Sequence, residues 1–386
     1  MATDTRRIGT SDNSTVTNLP YSTQWIEQED IDAIVDALRS GWLTQGPTIE
    51  RFEAELAERL GASHAVVVSS GTAALHLACL ALGLKPGQRL MTSPLTFLAS
   101  ANCALYCGAS PTFADVDPRT GNVTPDTVGR ALGEGGADLL IPVHFGGRPA
   151  DVEGLARVAG KVPIVEDACH AIGAEVYSSS GWSKVGACLH SLATVFSFHP
   201  VKPITTGEGG AVLTQDRALA RKLRELRSHG VVRNANRQRE AGGWFYEMQD
   251  LGYNYRLTDI QAALGRAQLR RLDEGVARRR WLASRYIERL KDFDFLHLPE
   301  KEKDVRSAWH LFPIRIHHAQ VSRREVYDAM RAQGIGVQVH YIPVHLHPYY
   351  RERFGFTEGQ FPEAEAFYKE ELSLPLFATM EETDID

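Results

Sequence analysis

Cysteine is scarce in this chain, and its five residues (Cys79, Cys103, Cys107, Cys169 and Cys188) are odd in number and scattered through apolar segments. That pattern argues against a disulfide framework and fits reduced thiols in a cytosolic protein. Cys103 and Cys107 stand at helical i, i+4 spacing, but no second Cys/His pair completes a zinc pattern, so no metal site is expected. A cationic excess is missing too. The 42 Lys and Arg face 48 Asp and Glu, a formal net charge of −6 with no basic stripe, which argues against a nucleic-acid partner. No run of about 18 apolar residues and no signal peptide appears, so the expected place is the cytoplasm, with no membrane partner. Internal repeats and low-complexity blocks are also lacking.

What is present is a composition ordinary for a soluble enzyme, 43% hydrophobic and 23% charged. The chain is long enough for two domains and a large core. Its Thr-, Ser-, Asp- and Asn-rich start reads as a mobile tail over 1–20. Tyr21 to Trp25 leads into a helix with Ile31, Ile34, Val35 and Leu38 on one face. Pro47 opens a second helix carrying Phe52, Leu56 and Leu60. From Ala65 to Asp167 short apolar runs alternate with helices, which predicts an α/β fold with a large, mostly parallel sheet covered on both faces. Beyond Leu213 the pattern changes. A long helical segment is expected from Thr258 to about Leu290, then strands over 309–316 and 337–339 with a helix from Arg323 to Ala332 between them. The chain is thereby divided into a large domain over 21–270 and a smaller α+β domain over 271–386, with the boundary inside the long helix.

The chemistry gathers on Thr194-Val-Phe-Ser-Phe-His-Pro-Val-Lys-Pro-Ile-Thr-Thr-Gly-Glu-Gly-Gly-Ala-Val-Leu213, a strand, a polar elbow and a glycine-rich turn into a second strand. Lys202 sits there between Val201 and Pro203-Ile204, not as surface lysines sit. Gly207, Gly209 and Gly210 allow a backbone to approach a ligand closely. A half-buried lysine has a lowered pKa and can attack a carbonyl as a neutral amine, as a Schiff base to pyridoxal phosphate requires.

Three other stretches sit at strand ends. Ser69-Ser-Gly-Thr-Ala73 opens a helix whose free N–H groups suit a phosphate, although a plain N-cap explains it equally well. Glu166-Asp-Ala-Cys-His170 lies where open α/β sheets place ligands. Asp167 there suits a protonated pyridine nitrogen and His170 the cofactor's phenolic oxygen; a helix-capping Asp and a core His are the bland alternatives. Phe97 is a candidate to stack on the ring, and Ser197 to share the phosphate. Phosphate turn, aromatic, Asp and Lys in that order weigh more together than singly.

Seven motifs carry a resemblance over nearly the whole chain: Ser-Gly-Thr-Ala-Ala-Leu-His76, Thr-Phe-Leu-Ala-Ser-Ala-Asn102, Val-His-Phe-Gly-Gly147, Glu-Asp-Ala-Cys-His170, Phe-Ser-Phe-His-Pro-Val-Lys202, Thr-Gly-Glu-Gly-Gly210 and Gly-Tyr-Asn-Tyr-Arg256. In these the sequence resembles the fold-type-I, pyridoxal 5'-phosphate-dependent nucleotide-sugar aminotransferases of the DegT type. Trp42-Leu-Thr-Gln-Gly-Pro47, Ala-Leu-Tyr-Cys-Gly108 and Val339-His-Tyr-Ile-Pro-Val344 bring it nearest to the members serving pseudaminic acid synthesis. Those aminate C4 of a UDP-linked 4-keto-6-deoxy-N-acetylhexosamine, with L-glutamate as donor.

The resemblance implies that Lys202 is the catalytic Schiff-base lysine, that Thr72 and Ala73 give amides and Ser197 a hydroxyl to the phosphate, and that Phe97 stacks on the ring. It further implies that Asp167 pairs with the ring nitrogen, that His170 stands where Gln is common, and that Asn254 reaches the phosphate of a partner subunit in a homodimer with shared active sites. Tyr21, His199, Arg256, His340 and Tyr341 are the substrate-binding candidates. The chain ends at Asp386 where relatives usually continue through a last helix, so a truncated or frayed end is expected. A dTDP- or UDP-sugar 3- or 4-aminotransferase of other specificity remains open. Lys202 disfavours a family dehydratase, which carries histidine there, and the intact Asp167, Ser197 and Lys202 disfavour a non-catalytic pyridoxal-phosphate-binding regulator.

Overall fold

The computed structural model describes residues 18–300 and 303–386; most of the tail expected over 1–20 lies outside them. Seven strands make one continuous sheet in the order His64–Val68, Gly210–Thr214, Ala193–Ser197, Val165–Asp167, Leu139–Ile141, Arg89–Thr92, Ser110–Phe113. Parallel bridges at Leu140↔Ile164 and Val143↔Asp167 join its two halves. Gly210–Thr214 runs antiparallel to both neighbours, and the remaining pairings are parallel. Residues Ala65 to Val68 are completely shielded, which is why these strands read as unbroken apolar runs and not as alternation.

Helices on the crossovers bury the sheet. Gly71–Ala81, Ala99–Tyr106 and Arg217–Arg227 share one core with Val66, Val195 and Val212, while Pro47–Leu60 closes the other face through Phe52, Leu56 and Leu60. The carboxyl ends of His64–Val68, Val165–Asp167 and Ala193–Ser197 therefore deliver Ser69-Ser70, Asp167 and Ser197 to one edge, as expected of an open α/β sheet.

Three local expectations need correction. The segment from Thr258 to Leu290 is two helices, Asp259–Arg270 and Leu272–Leu290, separated by Arg271 at φ −97, ψ 5. The strand expected from Trp309 starts at Phe312, because Trp309 has a left-handed φ of 51 that no strand accepts. Residues 337–339 form no strand, only a bridge from Gln338 to Ser373. The helix Arg323–Ala332 falls where expected and is held by a capping box between Ser322 and Glu325.

A second, antiparallel sheet of Leu296–His297, Phe312–Ile316 and Glu371–Leu374 packs on Leu282, Ala283 and Tyr286 of the last long helix. The described carboxyl end is not frayed. Ile385 packs against this core, and Arg289 and Arg285 pair with Asp386 and Glu382. Among the described residues no helix is long and apolar enough to cross a membrane.

Candidate active site

Ser70 is the N-cap of the helix Gly71–Ala81, its Oγ accepting the Ala73 N–H at 3.1 Å. Among the first-turn amides, those of Gly71 and Thr72 have no intrahelical acceptor. Gly71 is required here. A Cβ at that position would come within 2.9 Å of the Ser197 Cβ, so glycine lets the helix start lie directly beside the Ser197 hydroxyl. Gly210 has the same kind of role, since a Cβ there would meet the Ser70 carbonyl oxygen at 2.5 Å. The close approach it permits is backbone to backbone, against the Ser70–Gly71 turn.

Asp167 is buried, 5% exposed, and caps no helix, because a turn follows it and the next regular element is the strand Glu175–Ser178. Its Oδ2 accepts from Ser100 Oγ at 2.6 Å and its Oδ1 from the Cys169 N–H at 3.1 Å. Lys202 follows on the same edge and is half-buried. Burial pulls its amine from an ordinary 10.5 down to about 8, against the pull of Cys169 and Asp167 and with help from Arg279. Its Nζ lies 3.3 Å from His310 Nε2.

His170 is buried as well. Its Nε2 meets the Tyr341 hydroxyl at 3.2 Å, and its ring centroid lies 4.5 Å from that of His310. Burial, then the neighbouring Lys202, holds His170 and His310 neutral, far below the usual histidine range, and burial likewise raises the Tyr341 phenol. His340 accepts or donates at Nδ1 to Ser373 Oγ, 2.8 Å away, and burial lowers it to about 3. Behind it Glu371 is fully buried, and burial raises its carboxyl to about 8. Glu371 accepts the His340 N–H at 2.7 Å and lies 2.6 Å from Ser373 Oγ.

A cavity of about 620 Å³ collects these groups. Tyr21, Thr72, Phe97, Asp167, His170, Ser197, His199, Lys202, His340 and Tyr341 all line it. Phe97 is 57% exposed within it, its ring tilted against that of Tyr341 at a centroid distance of 6.2 Å. Two expected residues stay out. Asn254 and Arg256 are absent from the lining; Asn254 is exposed, and Arg256 bridges to Val68 with no side-chain hydrogen bond or ion pair among the described residues. A cleft of about 690 Å³ elsewhere, lined by Phe145, Trp309, Phe367 and several arginines, contains none of the expected residues. Sequence reasoning missed Ser100, His310 and the pair Glu371–Ser373. Ser100 and His310 stood in quoted or strand-like stretches, but only the fold shows what they touch.

The matching family model covers residues 24–386 and describes the DegT/DnrJ/EryC1/StrS aminotransferase family. The chain belongs to that family. A spore coat polysaccharide biosynthesis protein, SpsC, of Bacillus subtilis is 42% identical, covering 95% of this chain and 94% of that protein. A UDP-4-amino-4,6-dideoxy-N-acetyl-beta-L-altrosamine transaminase of Campylobacter jejuni is 38% identical over 94% and 93%. Among solved structures, Helicobacter pylori PseC, an aminotransferase of pseudaminic acid biosynthesis, superposes with a TM-score of 0.86 at 31% identity, covering 96% and 97%. The PLP-form of the sugar aminotransferase Spr1654 of Streptococcus pneumoniae does so at 0.86 and 28%, covering 96% of each chain. The fold is that of the fold-type-I transferases, a mixed α/β domain on a mostly parallel sheet.

Proposed function

We propose that this sugar aminotransferase moves an amino group from L-glutamate to C4 of a UDP-linked 4-keto-6-deoxy-N-acetylhexosamine, with Lys202 as its catalytic lysine. The observation that carries the chemistry is the convergence of Asp167, Lys202, Phe97 and the Gly71–Thr72 amides on one cavity. The cofactor is pyridoxal 5'-phosphate, and the residues fit it. Two open amides at a helix start and the Ser197 hydroxyl suit its phosphate, the exposed Phe97 ring suits its face, and the buried Asp167 suits its ring nitrogen. When bound, the group supplies an electron sink for the carbanion of amino transfer.

The protein supplies position and protons. Ser100 and the Cys169 N–H fix the Asp167 carboxylate. Lys202, half neutral near pH 8, accepts a proton and returns it to the neighbouring carbon. Tyr341 and His170, tied together at 3.2 Å, stand on the cavity wall as neutral hydrogen-bonding groups. The altrosamine reading rests on the Campylobacter relative and the PseC structure. A second reading, another nucleotide sugar destined for a polysaccharide, is favoured by the 42% identity to SpsC. We also infer a homodimer with shared sites, in which Asn254 serves the partner's phosphate. It is supported by large apolar side chains left open on the single chain: Trp42 is 56% exposed, Trp244 79% and Leu251 75%.

Glutamate and a panel of UDP- and dTDP-linked 3- and 4-keto sugars test the assignment. Amination of the UDP-linked 4-keto-N-acetylhexosamine alone supports it, and preference for a dTDP sugar or for C3 overturns it.

A further inference from the structure

Resting on the reading of Lys202 as catalytic, we propose that His310 is its positioning residue, donating its Nε2–H to the neutral amine and so favouring and aiming that form of Lys202 whenever the amine is free.

The contact itself is 3.3 Å, and it allows two arrangements. In one, Lys202 is an ammonium that donates to Nε2, and His310 carries its proton on Nδ1. In the other, Nε2 carries the proton and donates to the neutral amine. The surroundings of Nδ1 separate them. That atom is buried and has no hydrogen-bond partner among the described residues. A proton placed there would be an orphaned buried N–H, which folded proteins rarely tolerate, whereas an unfilled acceptor costs less. The Nε2–H arrangement therefore wins, and the amine it meets is the uncharged, nucleophilic form.

The ring cannot readily turn away. His310 is 3% exposed and packed 4.5 Å from the His170 ring, and its backbone N lies where a Cβ on Gly147 would come within 2.8 Å. The charged and titratable groups facing the pair agree with a neutral imidazole. Lys202, His170, Arg279 and His340 all oppose a charge on His310. Around Lys202, burial acts first for the neutral amine and Arg279 with it, while Cys169 and Asp167 favour the ammonium; a donor aimed at the lone pair adds to the first side. Lys202 lines the cavity and His310 stands behind it; it acts on the reaction only through the lysine.

Cofactor-stripped full-length chain is treated with trinitrobenzenesulfonate, and the rate of Lys202 arylation is followed by peptide mass spectrometry from pH 6.5 to 9.5. In His310→Leu the midpoint should rise and the rate at pH 7 should fall roughly fivefold, the equivalent of one hydrogen bond to the neutral form. His310→Gln, which keeps an N–H donor, should stay within about twofold of the parent. Should the Leu chain not fold, His310→Asn, too short to reach, carries the same expectation. Parental arylation in the Leu or Asn chain, or equal loss in the Gln chain, overturns the role of His310. Borohydride reduction of the loaded enzyme separates the two claims: cofactor fixed to a lysine other than Lys202 removes the assignment beneath the proposal, while label on Lys202 with unchanged arylation removes only His310.

Discussion

Replacing Lys202 by Met should make the cofactor-free protein more stable at neutral pH while abolishing transamination. The magnitude follows from the amine's descent from 10.5 to about 8 on burial. At roughly 1.4 kcal/mol per pH unit, folding an ammonium into this site costs about 3 kcal/mol. The sign is fixed by which state binds the proton. Below pH 8 folded and unfolded chains both carry it, and the full cost is present. Between 8 and 10.5 the unfolded chain holds the proton and the folded chain does not, so stability rises with pH and the cost disappears. Met fills a similar volume without charge and forfeits the contact to His310, worth about 1 kcal/mol, only where the amine is neutral. The net gain is therefore about 3 kcal/mol at pH 7, falling close to zero by pH 9.5. Urea unfolding of the two stripped chains, followed by tryptophan fluorescence at both pH values, measures it. A gain equal at pH 7 and 9.5, or no gain at either, would refute the argument that burial lowers this amine.

Asp167→Asn should retain the cofactor but lose about a thousandfold in rate, near 4 kcal/mol of barrier, in a single-turnover assay with glutamate; near-normal turnover would leave Asp167 a turn-forming residue. Glu371→Gln should raise the thermal midpoint at pH 8 by the equivalent of up to about 4 kcal/mol and leave it unchanged near pH 4.5, because the buried acid is neutral when folded and ionised when unfolded across that window. An equal effect at both pH values would show the carboxyl to be charged in the fold. Asn254→Ala and Lys202→Ala chains, each weak alone, should regain activity when mixed as heterodimers; heterodimers without recovery would put both residues in the same subunit's site.

Much of the sheet was legible because strands such as His64–Val68, Leu139–Ile141 and Gly210–Thr214 carry apolar runs bounded by polar residues, as strands buried on both faces do. Asp167, Lys202 and the Ser70 turn were legible for a related reason: strand ends are where the alternation of elements delivers side chains. The signals failed where the backbone departs from its local preference. The apolar pattern of 309–316 suits a strand throughout, but the left-handed Trp309 turns the chain and aims His310 at Lys202. The helical pattern of 258–290 runs straight through Arg271, where the chain breaks. Glu371 followed Glu370 in what resembles a solvated acidic pair; burial raises its carboxyl against the hydrogen bonds from Ser373 and from His340, some thirty residues away, and no local pattern encodes that burial.

Charge decides the remaining question, how an anionic substrate is held. Among the described residues the cavity of a single chain is lined by one lysine and no arginine, and that lysine must be neutral to act. Two of its histidines are also held neutral by burial: His340 is lowered to about 3, and His170 lies far below its usual range. The cofactor phosphate can be met by amides at a helix start, but a nucleotide diphosphate at the mouth finds no cation there. Arg256 is the nearest candidate in sequence to Asn254. It bridges to Val68, which leads into the phosphate turn, and its guanidinium makes no ion pair among the described residues. A shared site in which each chain lends this arginine to the other meets the charge requirement without placing a cation beside Lys202. Arg256→Lys should then raise the sugar KM about tenfold, since a compact ammonium cannot reproduce a bidentate contact to phosphate, and leave the glutamate half-reaction nearly untouched. Equal damage to both half-reactions would assign Arg256 to the architecture of the interface and leave the diphosphate to be held by neutral donors alone.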